Sequence, residues 1–184
     1  MWYDPERAVA CKDVGIALDF GSRILKHPEA RSLHAMWDSL RGDRPVPFRA
    51  ELDAHRIGAK APFLAILEYV GPSNFRIRIA GDRLNKWFGI ELRGMSALAL
   101  LHTDARNHFQ ATLNRVTAEP AVAALDGAVR GPANMVAHFE MVLLPMRSDF
   151  GRVDRVLVGL WLLDAPALSR GPLRLEPEEF SVAS

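Results

Sequence analysis

Two stretches of the chain, residues 138–145 and 153–163, are predicted to be long β-strands that are apolar on both faces. The second stretch divides into two apolar sets, Val156, Val158, Leu160 and Leu162 on one face and Leu157, Trp161 and Leu163 on the other. Because successive side chains of a strand point to opposite sides of its sheet, each set faces a different layer. A sheet that contains these strands therefore needs a cover on both faces.

An earlier pair of segments, residues 63–70 and 75–81, is predicted to form a β-hairpin around a Gly-Pro-Ser-Asn turn. The alternation of the second segment predicts two faces, one with Phe75, Ile77 and Ile79 and the other with Arg76 and Arg78. The two guanidinium groups could hold a carboxylate or a phosphate, or they could form a solvated face or pair with Glu68 across the hairpin. Solvation or pairing with Glu68 is the commoner arrangement for surface arginines.

Helical spacing predicts a first helix over residues 28–41 and a longer helix over residues 103–118. Pro28 suits the first turn of a helix, where its missing N–H would have no partner, and Gly42 can end the helix. The apolar face of the first helix is formed by Leu33, Met36, Trp37 and Leu40. A third strand candidate, residues 121–125, follows the longer helix and precedes an Asp-Gly turn.

The order of these elements predicts an α+β fold with a five-stranded antiparallel sheet, because the strands are grouped rather than alternating with helices. We expect the later helices to pack on one face and helix 28–41 to cover the other, alone or through a second subunit. Residues 1–26 are an extension of uncertain form, and residues 27–53 are the leading helix and connector. Residues 54–165 form the core, and residues 166–184, with three prolines, are a tail.

Four segments, residues 36–53, 63–69, 75–98 and 140–160, carry a further similarity. They resemble a PAS-like family (PAS_5 type) that is common in alphaproteobacteria and was formerly known as a domain of unknown function. Residues 75–98 are the most specific part, because the glycines, the alternation and a helix-capping residue stand at the expected offsets. The resemblance implies a PAS fold and a sensory or protein-interaction role.

The PAS fold encloses a small cavity between its sheet and its helices, in which a ligand could change how the sheet meets a partner. The predicted lining residues are Ile77, Ile79, Trp87, Phe88, Leu98, Phe109, Leu113, Leu143 and Leu160. The apolar outer face of the sheet indicates a homodimer or another protein partner. The predicted dimer residues are Leu33, Met36, Trp37, Leu40 and Trp161.

Two histidines, His102 and His108, lie at or within the longer helix. Some PAS domains bind haem through a histidine of this helix, and a neutral imidazole in an apolar pocket can ligate the iron. His102 falls close to the apolar face of the helix and His108 about 90° from its centre. Base rates favour boundary positions for both residues over haem ligation.

Composition argues against several other classes of function. A net charge of +1 gives no electrostatic reason for nucleic-acid or membrane-surface binding, and the apolar stretches are shorter than a membrane span. The single cysteine, Cys11, excludes an internal disulfide and a cysteine-based zinc site, and no metal site is predicted. The amino-terminal segment lacks the pattern of a secretion signal, so a cytoplasmic location is expected.

The motifs of common enzymes are absent as well, including the Ser-hydrolase elbow, the P-loop and the dinucleotide-binding glycine pattern. The sequence therefore predicts a non-catalytic cytoplasmic PAS-type sensory or protein-interaction domain that binds a small ligand and signals through protein contacts. Three alternatives stay open: a haem sensor, a small α+β pocket enzyme that uses His102 with Asp104, and a structural adaptor whose cavity is filled by its own side chains.

Overall fold

The computed structural model describes residues 24–71, 74–131, 136–164 and 173–183. Its α-helices in these ranges are α1 (Pro28–Arg41), α2 (Ala54–Ile57), α3 (Asp82–Phe88) and α4 (Arg106–Ala118). The strands are β1 (Leu64–Gly71), β2 (Asn74–Ala80), β3 (Val122–Arg130), β4 (Val136–Arg147), β5 (Val153–Leu162) and β6 (Arg174–Ala183). Short 3₁₀ turns at Arg49–Glu51, Gly58–Phe63, Ala97–Leu100 and Thr103–Ala105 complete the connections.

The strands form one antiparallel sheet in the order β2-β1-β5-β4-β3-β6. The two strands that are apolar on both faces, β4 and β5, occupy its centre, with Leu143 opposite Val158 and Leu144 opposite Leu157. Each of these four side chains is almost completely buried. The α+β fold predicted from the two-sided strands is confirmed.

Helix α1 begins and ends where the sequence predicts. The His27 Nδ1 atom accepts a hydrogen bond from the Glu29 N–H (3.1 Å), and Pro28 occupies the first turn. Gly42 ends the helix with φ 55°, a conformation that side chains with a Cβ atom rarely adopt, and its N–H donates to the Asp38 carbonyl.

Two apolar clusters lie on opposite faces of the sheet. The inner cluster, between the sheet and α3 and α4, includes Leu67, Phe75, Ile77, Leu84, Trp87, Phe88, Phe109, Leu113, Phe139, Leu143, Val158 and Leu160. The outer cluster, between the sheet and α1, includes Leu25, Ala30, Leu33, Trp37, Leu64, Ile66, Val142, Leu144, Leu157 and Trp161. Both faces of the sheet are therefore covered by elements of one chain.

The sixth strand corrects the prediction that residues 166–184 are a tail. Strand β6 pairs with β3 along its length, and Leu175 is 1% exposed within the inner cluster. Pro177 is tolerated because β6 is an outer strand and because the pairing shifts register at this proline, opposite Gly127. The strand count of five is therefore one too low.

The same pairing corrects the prediction for residues 126–127. The Asp-Gly pair lies inside β3 instead of forming a turn, and β3 continues to Arg130. At Gly127 the backbone of β6 approaches so closely that a Cβ atom would lie 2.3 Å from the Glu176 carbonyl oxygen. Glycine is needed here because the two strands approach each other closely. In the sequence alone, an Asp-Gly pair that serves this purpose cannot be distinguished from one that forms a turn.

The predicted dimer residues lie mostly within the interior of one chain, and their role in a dimer stays a prediction. Leu33 (0% exposed), Trp37 (3%) and Trp161 (2%) belong to the outer cluster within one chain, so they are not available to a second copy while α1 is docked. Met36 and Leu40 are partly buried at its border. The sequence left open whether the outer face is covered by α1 alone or by a second subunit, and the structure shows α1 covering it.

Candidate functional site

Most of the predicted cavity residues lie together on the inner face of the sheet. Ile77, Trp87, Phe88, Phe109, Leu113, Leu143 and Leu160 are members of the inner cluster, each at most 6% exposed, and Leu98 packs at its border. These side chains contact one another in one contiguous cluster. The residues were correctly grouped, and their role in holding a ligand stays a prediction.

Ile79 does not belong to this group. The pairing of β1 with β2 places Ile66 opposite Ile79 and Leu67 opposite Ile77, so that Arg78 is an extra residue on β2. Because a β-bulge reverses the alternation beyond it, Ile79 lies on the outer side of the sheet with 49% of its surface exposed. The prediction that Ile79 faces the inner cavity is wrong for this reason.

The two histidines proposed as haem ligands lie at the surface. His108 is exposed on α4, and the side chain of His102 is 46% exposed before the helix, with its Nδ1 atom 3.4 Å from an Asp104 carboxylate oxygen. A haem ligand would have to project from α4 into the inner cluster. Neither histidine does so, and haem ligation, the alternative that the sequence disfavoured, gains no support from this geometry.

One of the two arginines of β2, Arg78, pairs with Glu68 as the commoner alternative predicted. Glu68 of β1 receives Arg78 at 2.6 Å and also Arg155 of β5 at 2.6 Å. This carboxylate is thus shared between two guanidinium groups on the outer face. In the described ranges, no group of three or more His, Cys, Asp or Glu side chains is placed to hold a metal ion.

Helix α1 is fastened to the outer face near its middle by one buried hydrogen bond. The Trp37 indole Nε1–H donates to the carbonyl of Pro145 in β4 over 2.8 Å. The bond gives the Pro145 carbonyl of β4 a donor from α1. Leu33 and Ala30, one turn earlier, pack on the same face of the sheet.

A second anchor lies at the beginning of α1. Glu140 of β4 is 2% exposed, and its carboxylate accepts hydrogen bonds from the backbone N–H groups of Lys26 (2.6 Å) and His27 (2.9 Å). The Lys26 ammonium also forms an ion pair with Asp126 of β3. The His27 ring stacks on the Trp161 ring, with centroids 5.4 Å apart and planes 16° apart.

Burial shifts the titration of two histidines at this interface. The pKa of His34, a buried α1 residue whose ring lies 6.1 Å from that of Trp37, is lowered mainly by burial, with Asp38 raising it and Arg41 lowering it to a smaller extent. The pKa of His27 is also lowered by burial, against the opposite effect of Glu140. Both rings are therefore uncharged in the folded protein at neutral pH.

Trp161 is buried with its indole Nε1 atom lacking a hydrogen-bond partner among the described residues. Its ring lies over Gly159, two residues earlier on β5, and beneath Leu33 of α1. A buried donor without an acceptor costs about 1–3 kcal/mol relative to the hydrated group. Within the described part of the chain, no acceptor offsets this cost for the Trp161 indole while α1 is docked.

A pocket of about 380 Å³ lies at the margin of the outer face, where the connector between α1 and β1 crosses the sheet. Its walls are formed by Arg49, Ile57, Ala61, Pro62, Leu64, Ala65, Ile66, Ile79, Gly81, Asp82 and Leu157. Leu64, Ile66 and Leu157 are also members of the outer cluster, so the pocket continues the surface on which α1 packs. No pattern in the sequence pointed to this pocket, because its walls come from segments far apart in the chain.

Several solved PAS and light-oxygen-voltage proteins are partly similar to this chain, each with a TM-score below 0.5. A search of solved structures finds an RNA-binding light-oxygen-voltage receptor with a TM-score of 0.47 and 15% identity, covering 59% of this chain and 31% of that chain. The light-oxygen-voltage protein of Rhodobacter sphaeroides has a TM-score of 0.46 and 13% identity, with coverages of 60% and 68%. A PAS domain from Colwellia psychrerythraea has a TM-score of 0.45 and 13% identity, with coverages of 60% and 98%.

A family model described as a PAS domain, of the PAS_5 type, matches residues 25–161. The chain therefore belongs to the PAS domain family, a family of sensory and signalling domains. A search of curated proteins gives no match. The match ends before β6, so the sixth strand lies outside the part that the family model covers. None of the helices in the described part of the chain is long and apolar enough to cross a bilayer.

Proposed function

We propose that this protein is a non-catalytic, cytoplasmic PAS sensory domain whose output is the movement of α1 off the outer face of its sheet. In the docked state α1 covers the outer face of the sheet and turns its largely polar side to solvent. In the undocked state the apolar outer face of the sheet is free to bind a protein partner, including a second copy of the chain. A small ligand biases the equilibrium between the two states.

The observation that carries this proposal is the polar content of the α1 interface. His34 is buried there with its pKa lowered mainly by burial, and the Trp161 indole N–H is buried without an acceptor among the described residues. Buried polar and ionisable groups make an interface less stable than an apolar one of equal area. An element held in this way opens at a lower free energy than the rest of the molecule.

The outward side of α1 supports the same assignment. Arg31, Ser32, Ala35 and Ser39 are exposed, and together they form no apolar surface on which a partner could dock. The apolar surface that the sequence analysis assigned to a partner is the one beneath α1. A partner can reach it when α1 leaves.

Substitution of Leu33 by glutamate tests this proposal. Leu33 is fully buried against the sheet, so a carboxylate at this position expels α1 from the outer face while leaving the inner cluster intact. We expect the Leu33→Glu variant to self-associate in light scattering and to keep its sheet signal in circular dichroism. The exposed neighbouring variant Ser32→Glu is the matched control and keeps the mass and stability of the native protein.

Two results oppose the proposal. If Leu33→Glu remains a monomer with α1 amides protected from hydrogen exchange, the helix does not act as a removable cover. If the whole domain unfolds in one step with α1, the helix is an inseparable part of the fold and not an output element.

The alternative of a pocket enzyme has little support in the geometry. Its proposed pair, His102 and Asp104, lies on the surface with the Asp104 side chain 91% exposed. A second histidine–carboxylate pair, His138 with Asp164 at 2.5 Å, is also on the surface, and hydrogen bonds from His138 lower the pKa of Asp164. Neither pair is enclosed in a way that would exclude water from a reacting group.

A further inference from the structure

The pocket beside the outer cluster has the character of a small-molecule site. Its volume of about 380 Å³ is at the lower end of the range of about 300–1,000 Å³ for ligand pockets. The walls are almost entirely apolar, with Ile57, Ile66, Ile79 and Leu157 as the large side chains. Ile79 is 49% exposed, so its apolar surface meets water while the pocket is empty.

One basic side chain, Arg49, stands in the wall of this apolar pocket. Its Nη1 group donates a long hydrogen bond of 3.4 Å to the Leu52 carbonyl, and no acidic side chain in the described ranges pairs with it. The acidic residue in the wall, Asp82, is already paired with Lys86. Among the described residues, no acidic side chain occupies the remaining donor groups of Arg49, which stand beside an apolar space.

The geometry points to a site for a small amphiphilic acid, with its apolar chain between Ile79 and Leu157 and its carboxylate on Arg49. A guanidinium group binds a carboxylate by charge-assisted hydrogen bonds, and removal of the apolar chain from water supplies the rest of the affinity. This site is on the opposite face of the sheet from the cavity expected from the sequence. The assignment of this site rests on the proposed function, because it names the class of ligand that shifts the equilibrium between docked and undocked α1.

The position of the pocket explains how an occupant could influence α1. Ile57 belongs to α2 and Arg49 to the preceding 3₁₀ turn, both on the connector that joins α1 to the sheet. Leu157 lines the pocket and also packs in the outer cluster beneath α1. An occupant that joins Arg49 and Ile57 to Leu157 fixes the connector on the sheet and so favours the docked helix.

Titration with sodium octanoate, followed by amide chemical shifts in NMR, tests the site. We expect shifts at the pocket residues Ala61, Ile66, Ile79 and Gly81, and a measurable dissociation constant. Arg49→Met should weaken octanoate binding by at least about tenfold, because a hydrogen bond to a charged group is lost. It should leave the weaker binding of 1-octanol unchanged. Arg49→Glu should reverse the charge preference, so that octylammonium binds in place of octanoate.

Arg56→Met is the matched control, because Arg56 is an exposed arginine of the same connector that does not line the pocket. Octanoate should bind this variant as it binds the native chain. The half-exposed position of Ile79 allows Ile79→Glu to fold, and the added carboxylate should repel octanoate.

The assignment is overturned if octanoate causes no shifts at the pocket, or if Arg49→Met and Arg56→Met bind it equally well. It is also overturned if light scattering shows a dimer that Ile79→Glu dissociates, since a second copy would then occupy the pocket. Octanoate that binds through Arg49 without slowing hydrogen exchange in α1 confirms the site and contradicts the proposed output. If the α1 amides exchange by local opening but octanoate does not bind, the ligand site is contradicted and the proposed movement of α1 is not.

Discussion

The contact between Gly159 and Trp161 gives a sharp test of how α1 is seated on the sheet. A Cβ atom at Gly159 would lie 2.3 Å and 2.4 Å from the Trp161 Cη2 and Cζ3 atoms and 2.8 Å from the Leu33 Cδ2 atom. Contacts below 3.0 Å force the neighbouring side chains or the backbone to shift. The Trp161 ring is confined by Leu33 above it and by the stacked ring of His27, so it has no free direction in which to turn.

Gly159→Ala should therefore lower the free energy of unfolding by about 1–3 kcal/mol, the usual cost of an added methyl group in a packed core. For a chain of this size, each kcal/mol lowers the melting temperature by about 2–4 °C. Urea unfolding followed by circular dichroism measures this change. The loss of stability comes from side-chain contacts in the outer cluster. The backbone of β5 at Gly159 is one that alanine can adopt without strain.

A double-mutant cycle with Trp161→Leu separates the steric clash from a general effect of replacing glycine. Trp161→Leu alone destabilises the protein because it leaves a space beneath α1. In the double variant the clashing ring is gone, so the alanine should add no further loss and its methyl group can fill part of that space. If the two single effects simply add within about 0.5 kcal/mol, the proposed packing of Trp161 over Gly159 is refuted.

Three further variants or conditions test other parts of the structure. Trp37→Phe keeps an aromatic side chain but leaves the Pro145 carbonyl without its donor, so urea unfolding should show a loss of about 1–3 kcal/mol. Because burial lowers the pKa of His34, protons bind the undocked state more strongly, and stability should fall as the pH drops below about 6.5 in urea titrations at several pH values. Leu175→Ala should cost about 2–5 kcal/mol if β6 completes the core, whereas the exposed variant Arg174→Ala should cost less than about 0.5 kcal/mol.

Each of these three predictions has a contrary result. An unchanged stability of Trp37→Phe would mean that water replaces the indole donor at the sheet. A pH dependence that persists in a His34→Gln variant would assign it to other groups, such as His27. Equal effects of the two β6 variants would mean that this strand contributes little to the folded state.

The parts of the fold that follow from local patterns could be predicted from the sequence. Alternating apolar positions in residues 153–163 required covers on both faces, and the helical spacing from Leu33 to Leu40 identified one of those covers. Pro28 and Gly42 marked its ends correctly. Such signals depend on neighbours within one or two turns of chain, so a single sequence contains them.

The errors arose where pairing between distant segments overrides the local pattern. The bulge at Arg78 turns Ile79 to the other face of the sheet, and no feature of an alternating segment predicts where a bulge falls. Pro177 looked like part of a tail because its place opposite Gly127 depends on a strand far earlier in the chain. The pocket at Arg49 needed the whole fold before its walls could be recognised.

The same reasoning applies to the predicted dimer surface. An apolar sheet face beside an amphipathic helix has one sequence pattern, whether the helix of the same chain or a second copy covers it. Leu33, Trp37 and Trp161 were assigned to an interface between chains and lie in an interface within one chain. In the proposed function a protein partner still binds this surface, in competition with α1.

Native-state hydrogen exchange of α1 tests the central claim most directly. If α1 is a separable cover, its amides exchange by a local opening whose free energy is lower than that of α4 and changes little with low concentrations of urea. If α1 is an integral part of the fold, its amides and those of α4 exchange with the same free energy and the same urea dependence, through unfolding of the whole domain. We expect the first result, and the second would refute the proposed release of α1.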